Sequence, residues 1–164
     1  MIRTALILAV IASPAHAQSF DEAVRQNVAL AVSICAQHVG EPTRARTALE
    51  AAGFAYGGFD GSLDDATHRY TAPAGTAEVL VYQGQMAPDC RIETQHLGPT
   101  DAGRIAGGVL QGVMPGRFTP TATYCPGYTE PGRQLPQTIS VTDLGNAGSC
   151  NEGEGARINL FFAV

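Results

Sequence analysis

The chain contains no lysine: all ten basic residues are arginines, set against fifteen acidic residues, for a formal net charge of −5. The arginines are scattered along the chain and form no basic stripe. A chain with this balance repels phosphate backbones, so nucleic acid is not an expected partner. The lysine-free composition, rich in alanine and glycine, reads as the codon bias of a GC-rich bacterium.

Motifs that carry chemistry are missing as well. None of the serines stands in a G-x-S-x-G turn, which removes the nucleophile elbow. There is no G-K-[ST], and Gly107-Gly108 does not open a helix directly after a strand, so no phosphate cradle is expected. No C-x-x-C, H-x-H or H-x-x-x-H spacing occurs, which leaves zinc and thioredoxin-type chemistry without support. Acids such as Asp64, Asp65, Glu78 and Glu93 have no spacing that ties two of them across a cleft for glycoside chemistry. No cofactor and no metal is therefore expected, and no internal repeat or composition break marks a second domain.

Only one long apolar run is present, and it lies at the start. Met1-Ile2-Arg3, the stretch from Thr4 to Ala12 and Ala15-His16-Ala17 read as a cleavable secretory signal over residues 1–17, cut between Ala17 and Gln18. The run is far short of the roughly 20 residues that span a hydrocarbon core, so no stable membrane anchor is expected. The first cysteine, Cys35, is far from the cleavage point, so lipid anchoring is not expected either. Residues 18–164 then form a single mature domain in the periplasm or outside the cell, with a net charge of −6 once Arg3 is removed.

Export decides how the four cysteines are read. Cys35, Cys90, Cys125 and Cys150 are an even set in an oxidising compartment, so two disulfides are expected. On a helix through Asp21 to Val39, Cys35 shares the apolar face of Phe20, Val24, Val28, Ala31 and Ile34. In the alternating run from Cys90 to Gln95, Cys90 and Ile92 share one side. Both sulfurs then face one core, which favours Cys35–Cys90 and leaves Cys125–Cys150 to close a loop.

The remaining pattern predicts an α+β fold: two or three helices on one face of an antiparallel sheet of about five strands. Ser19 to Glu22 has the form of a capping box, so the first helix starts there, and Gly40 ends it. Pro42 opens a second helix that runs to Gly53, and Thr100-Asp101 can cap a third that reaches Val113. Gly103, Gly107, Gly108 and Gly112 each cost that third helix up to about 1 kcal/mol, so it needs close packing. Strands are expected at 68–71, 78–83, 90–96, 138–144 and 157–164, with loops at 54–65 and 118–137.

Candidate functional residues are few. Asp60, Ser62 and Asp64 imitate the opening of a calcium loop, but Asp65 and Thr71 stand where glycine and glutamate are needed, so the segment reads as a solvated turn. His38, His68 and His96 read as structural. The best patch is the loop from Tyr124 to Arg133, which Cys125 would pin and Pro126 and Pro131 would stiffen. Its Tyr124, Tyr128 and Arg133 are residue types enriched at binding hot spots. The expected function is therefore non-catalytic binding of a protein, peptide or envelope component. The rivals are a small periplasmic hydrolase with His68 or His96 as base beside Asp64 or Asp65, and an inhibitor of an envelope-targeting protease or lysozyme.

Overall fold

The computed structural model describes residues 18–62, 65–84, 90–121, 123–132, 137–145, 149–153 and 155–161; residues 1–17, where a secretory signal is expected, Asp64, Arg133 and the last three positions lie outside the described residues. Ser19 accepts a hydrogen bond from the Glu22 amide at 3.2 Å and starts helix α1, Phe20–Gln37, as its capping pattern requires. Gly40, at φ +73°, turns the chain into α2, Pro42–Ala51, whose proline occupies the first turn, where its missing N–H costs nothing. The third helix, α3, spans Pro99–Val113. It is capped from outside its own sequence: the Thr100 amide donates to Glu152 Oε1 at 2.9 Å, in place of the expected Thr100-Asp101 cap.

Among the described residues eight strands form one wholly antiparallel sheet: β1 (Ala55–Ser62), β2 (Asp65–Thr71), β3 (Glu78–Gln83), β4 (Cys90–Thr94), β5 (Thr119–Pro120), β6 (Gly127–Thr129), β7 (Thr138–Thr142) and β8 (Ala156–Phe161). Their order across the sheet is β1-β2-β3-β4-β8-β7-β6-β5. The α+β class and the helix count agree with expectation; the strand count of about five is corrected to eight. The three additions have separate causes. β1 lies in the stretch taken for a loop, because Gly57, Gly58 and Gly61 dilute its apolar residues. β5 and β6 are only two and three residues long and sit in the proline-rich stretch that shows no period.

The side chains facing the helices form continuous rows across the strands. One runs Tyr56, Tyr70, Val79, Ile92, Ile158, Val141, and the next runs Phe59, His68, Val81, Cys90, Leu160, Ile139, Tyr128. The middle of these rows is fully buried beneath Val24, Val28 and Val32 of α1, Leu49 of α2 and Ala102, Ala106 and Leu110 of α3. The helices lie over the centre, α2 on β3, α1 on β4, α3 on β8 and β7. Strand β1 extends beyond this layer.

Two disulfides close the fold in the favoured pairing. Cys35–Cys90 links α1 to β4 with the Cα atoms 5.9 Å apart, and Cys125–Cys150 links the segment before β6 to the β7–β8 connection with the Cα atoms 5.4 Å apart. The expected strand from Cys90 to His96 stops at Thr94. Thr94 Oγ1 donates to the Thr76 carbonyl at 2.8 Å and accepts the His96 amide at 3.2 Å, which bends the chain out of the sheet. His96 is consequently exposed, and edge-on to a half-exposed Phe20 with the ring centroids 4.9 Å apart; neither residue faces the core as its pattern implied.

Candidate functional site

Phe59 and Tyr56 are three residues apart, and three is an odd spacing that puts side chains on opposite faces of a regular strand. Here a bulge between Tyr56 and Gly58 inserts one residue into the ladder, so that Tyr56 pairs with Tyr70 and Phe59 with His68. Both rings therefore stand on the helix side of the sheet. Because β1 lies outside the helix layer, both remain 48% exposed.

The rings border His68, which is only 8% exposed. Its imidazole lies 6.1 Å from the Tyr56 ring and 5.7 Å from the Phe59 ring, centroid to centroid, and Nδ1 is 3.4 Å from the Tyr56 hydroxyl. Behind them, Arg46 and Glu50 of α2 sit one turn apart and meet at Tyr70. Arg46 Nε donates to the Tyr70 hydroxyl at 3.2 Å, that hydroxyl donates to Glu50 Oε1 at 3.2 Å, and Arg46 Nη1 donates to Gln83 Oε1 at 3.0 Å. The result is a ledge of two half-exposed rings backed by a fixed guanidinium, a carboxylate and an amide.

Burial, and secondarily the charge of Arg46, hold His68 below the ordinary histidine value of 6.5. Burial is also the main reason that Tyr70 is raised above 10.0. The unfolded chain thus takes up a proton at His68 before the folded one does. This group's contribution to stability is complete above pH 6.5 and is lost as pH falls through 6.5 toward the lower folded value. Thermal unfolding followed by circular dichroism should show Tm falling between pH 7.5 and pH 5, and His68→Gln should flatten that slope.

The loop chosen from sequence is divided by the structure. Tyr124 is 87% exposed, next to the Cys125–Cys150 bridge. Tyr128 is half-buried and turned toward α3: its hydroxyl donates to the Gly103 carbonyl at 2.8 Å, and burial raises it above 10.0. The glycines of α3 explain this. A Cβ at Gly103 would meet Pro126, and one at Gly107 would overlap the Tyr128 hydroxyl, so both glycines are the close-approach positions that the helix needs. Gly108 and Gly112 face open space. Gly107→Ala should cost about 1 to 3 kcal/mol through overpacking, whereas Gly108→Ala should gain about 0.5 to 1 kcal/mol; urea denaturation of the two variants checks the contrast. Arg133 lies outside the described residues.

The other candidates are not brought together. Asp65 accepts a hydrogen bond from Tyr82 on the open face of the sheet, while His68, three residues on in the same strand, faces the helices. Asp60, at the start of the calcium-like segment, pairs with Arg69 at 3.0 Å. His38 caps the end of α1, His68 lies on β2 and His96 follows β4, so the three histidines are in separate places. Among the described residues no group of three or more His, Cys, Asp or Glu is placed to hold a metal.

Larger concave sites among the described residues lie elsewhere. A cavity of about 270 Å³ opens where β3 begins and β4 ends, lined by Thr71, Thr76, Glu78, Glu93, Gln95 and His96. Glu78 and Glu93 stand directly opposite each other there, but Glu78 is paired with Arg69 at 3.4 Å and Glu93 with Arg157 at 2.8 Å. A shallow groove of about 380 Å³ runs between α1 and α3 along Ala29, Ile105, Gly108 and Val109. Among the described residues no helix is long and apolar enough to cross a membrane.

Fold and ledge together define a disulfide-bonded α+β protein that carries an aromatic surface patch at one edge of its sheet. No protein-family model, no curated protein and no solved structure matches the chain.

Proposed function

We propose that this is a non-catalytic binding protein that works outside the cytoplasm once the 1–17 leader is removed, with residues 18–164 as its mature domain. It holds a protein, peptide or other envelope component against the Tyr56–Phe59 ledge. The observation that carries the reading is the pair of half-exposed rings set on one face by the bulge and left uncovered by the helices. Buried aromatic anchors supply most of the energy of recognition surfaces, and rings already fixed against His68 and Tyr70 lose little entropy on docking. The two disulfides suit an oxidising compartment. Tyr124, exposed beside a disulfide, serves as a smaller second contact.

Co-sedimentation with isolated bacterial envelopes tests the proposal. Tyr56→Ala/Phe59→Ala should weaken retention by about a hundredfold, and Tyr124→Ala by about tenfold at most. Full retention of the double variant would remove the ledge from the proposal, and turnover of an envelope component during the incubation would replace binding with catalysis.

A further inference from the structure

The ligand that the ledge fits can be narrowed by what its surroundings reject. A peptide added as a further strand needs an unbroken row of N–H and C=O groups along β1. The bulge at Tyr56/Gly58, together with Gly58 at φ +112° and Gly61 at φ +106°, breaks that row, in the manner of protected sheet edges. An ionic ligand needs an uncompensated charge. Arg46 and Glu50 both bond the Tyr70 hydroxyl, and their charges cancel at the back of the ledge.

What the ledge offers is of two kinds at once. Tyr56 and Phe59 each leave about half of their surface open beside His68, to which both rings are tilted, by 35° and 37°. Arg46, Glu50 and Gln83 supply donors and acceptors behind them, held in place by hydrogen bonds of Arg46 to Tyr70 and Gln83 and of Tyr70 to Glu50. A pyranose ring is built to match: its C–H face is apolar and lies against an aromatic ring, and its rim of neighbouring hydroxyls bonds carboxylate, guanidinium and amide groups in pairs. Sugar units laid along β1 would meet Tyr56 and Phe59 in turn.

The geometry points to a neutral saccharide chain as the ligand of the Tyr56–Phe59 ledge. This rests on the reading of the ledge as a binding surface. A short neutral glycan stacks its sugar faces on the two rings and hydrogen-bonds its hydroxyls to Arg46, Glu50 and Gln83.

Nuclear magnetic resonance titration of the protein, recovered from the periplasm of a host expressing the full chain, tests this with three separate probes: chitotetraose, maltotetraose and a mixed-sequence uncharged octapeptide. At least one of the two oligosaccharides should shift the resonances of Tyr56, Phe59, His68 and Arg46, with saturation, and the octapeptide should not. Tyr56→Ala and Phe59→Ala should each weaken that binding by about tenfold. Glu50→Gln, at an exposed position of α2 and with an amide oxygen that can still accept from the Tyr70 hydroxyl, should weaken it by a similar factor, and an unchanged thermal midpoint of that variant separates lost binding from lost structure. If the octapeptide shifts these resonances and neither sugar does, the saccharide inference is overturned and the binding surface stands. If no probe shifts them and the double alanine variant retains full envelope co-sedimentation, both fall.

Discussion

Replacing Cys35 and Cys90 together by alanine is expected to lower the free energy of unfolding by about 4 kcal/mol. The bridge spans 55 residues of sequence, against 25 for Cys125–Cys150, whose loss should cost about 3.5 kcal/mol on the same chain-entropy argument. Packing widens the difference. Cys35 and Cys90 are both buried and touch the main core, so removing two sulfur atoms also leaves a void between α1 and β4. The second bridge lies among half-buried residues, where solvent can fill the space. Urea denaturation of the two double variants is the check, with the m-values compared to confirm that both still unfold in one step. A larger loss from the Cys125–Cys150 pair would contradict this account of the core.

Gly155→Ala should be nearly as damaging, at about 3 kcal/mol. Gly155 has φ +79° and is buried at the entrance to β8; an added Cβ would meet the Thr94 carbonyl oxygen at 2.6 Å and the Gln95 Cα at 3.0 Å. Backbone atoms cannot swing aside as a side-chain tip can. The same connection is held from its other end by the Asp143 amide donating to the Ser149 carbonyl at 2.9 Å and the Asn151 amide donating to Asp143 Oδ2 at 3.2 Å, so the strain has no easy outlet. Gly153 supplies the control: it has φ +98° but open space around it, so Gly153→Ala reports the backbone cost alone, about 1 kcal/mol. Thermal unfolding of the two variants should therefore separate conformational strain from overlap.

The parts of the fold that were legible in the sequence are those in which local chemistry and tertiary need coincide. Ser19 caps, Pro42 starts and Gly40 turns, and each does so for reasons contained within a few residues. The disulfide pairing was legible because Cys35 and Cys90 each sit in a clear period and both periods point to one core. Strand β1 was not. A strand is read from a period of two, and an inserted residue at its bulge breaks that period where its two large rings would have marked it. The cap of α3 was illegible for another reason: Glu152 is 52 residues away from Thr100, and no local pattern can announce it.

The candidate site divided along the same line. The residue types of the Tyr124–Arg133 loop point to recognition, yet Tyr128 is held against Gly103 and Gly107 of α3, which nothing within the loop itself announces. The glycine stripe itself carried the signal, since Gly103 and Gly107 stand one turn apart and ask for something to fill the space beside them. The two rings of the ledge lie in residues 54–65, where the composition predicts a loop, and it is the register of β1 on β2 that places Tyr56 and Phe59 beside His68.

The position of β1 outside the helix layer has a consequence for how such a protein can change over generations. Its rings lie against His68 and Tyr70 of β2, while the interior is built by β2 and the strands further in. Side chains on β1, all of them exposed or half-buried, can therefore be exchanged one at a time with little effect on the interior. One added or deleted residue at the bulge would go further, turning Tyr56 to the opposite side of the sheet and dismantling the ledge in a single step.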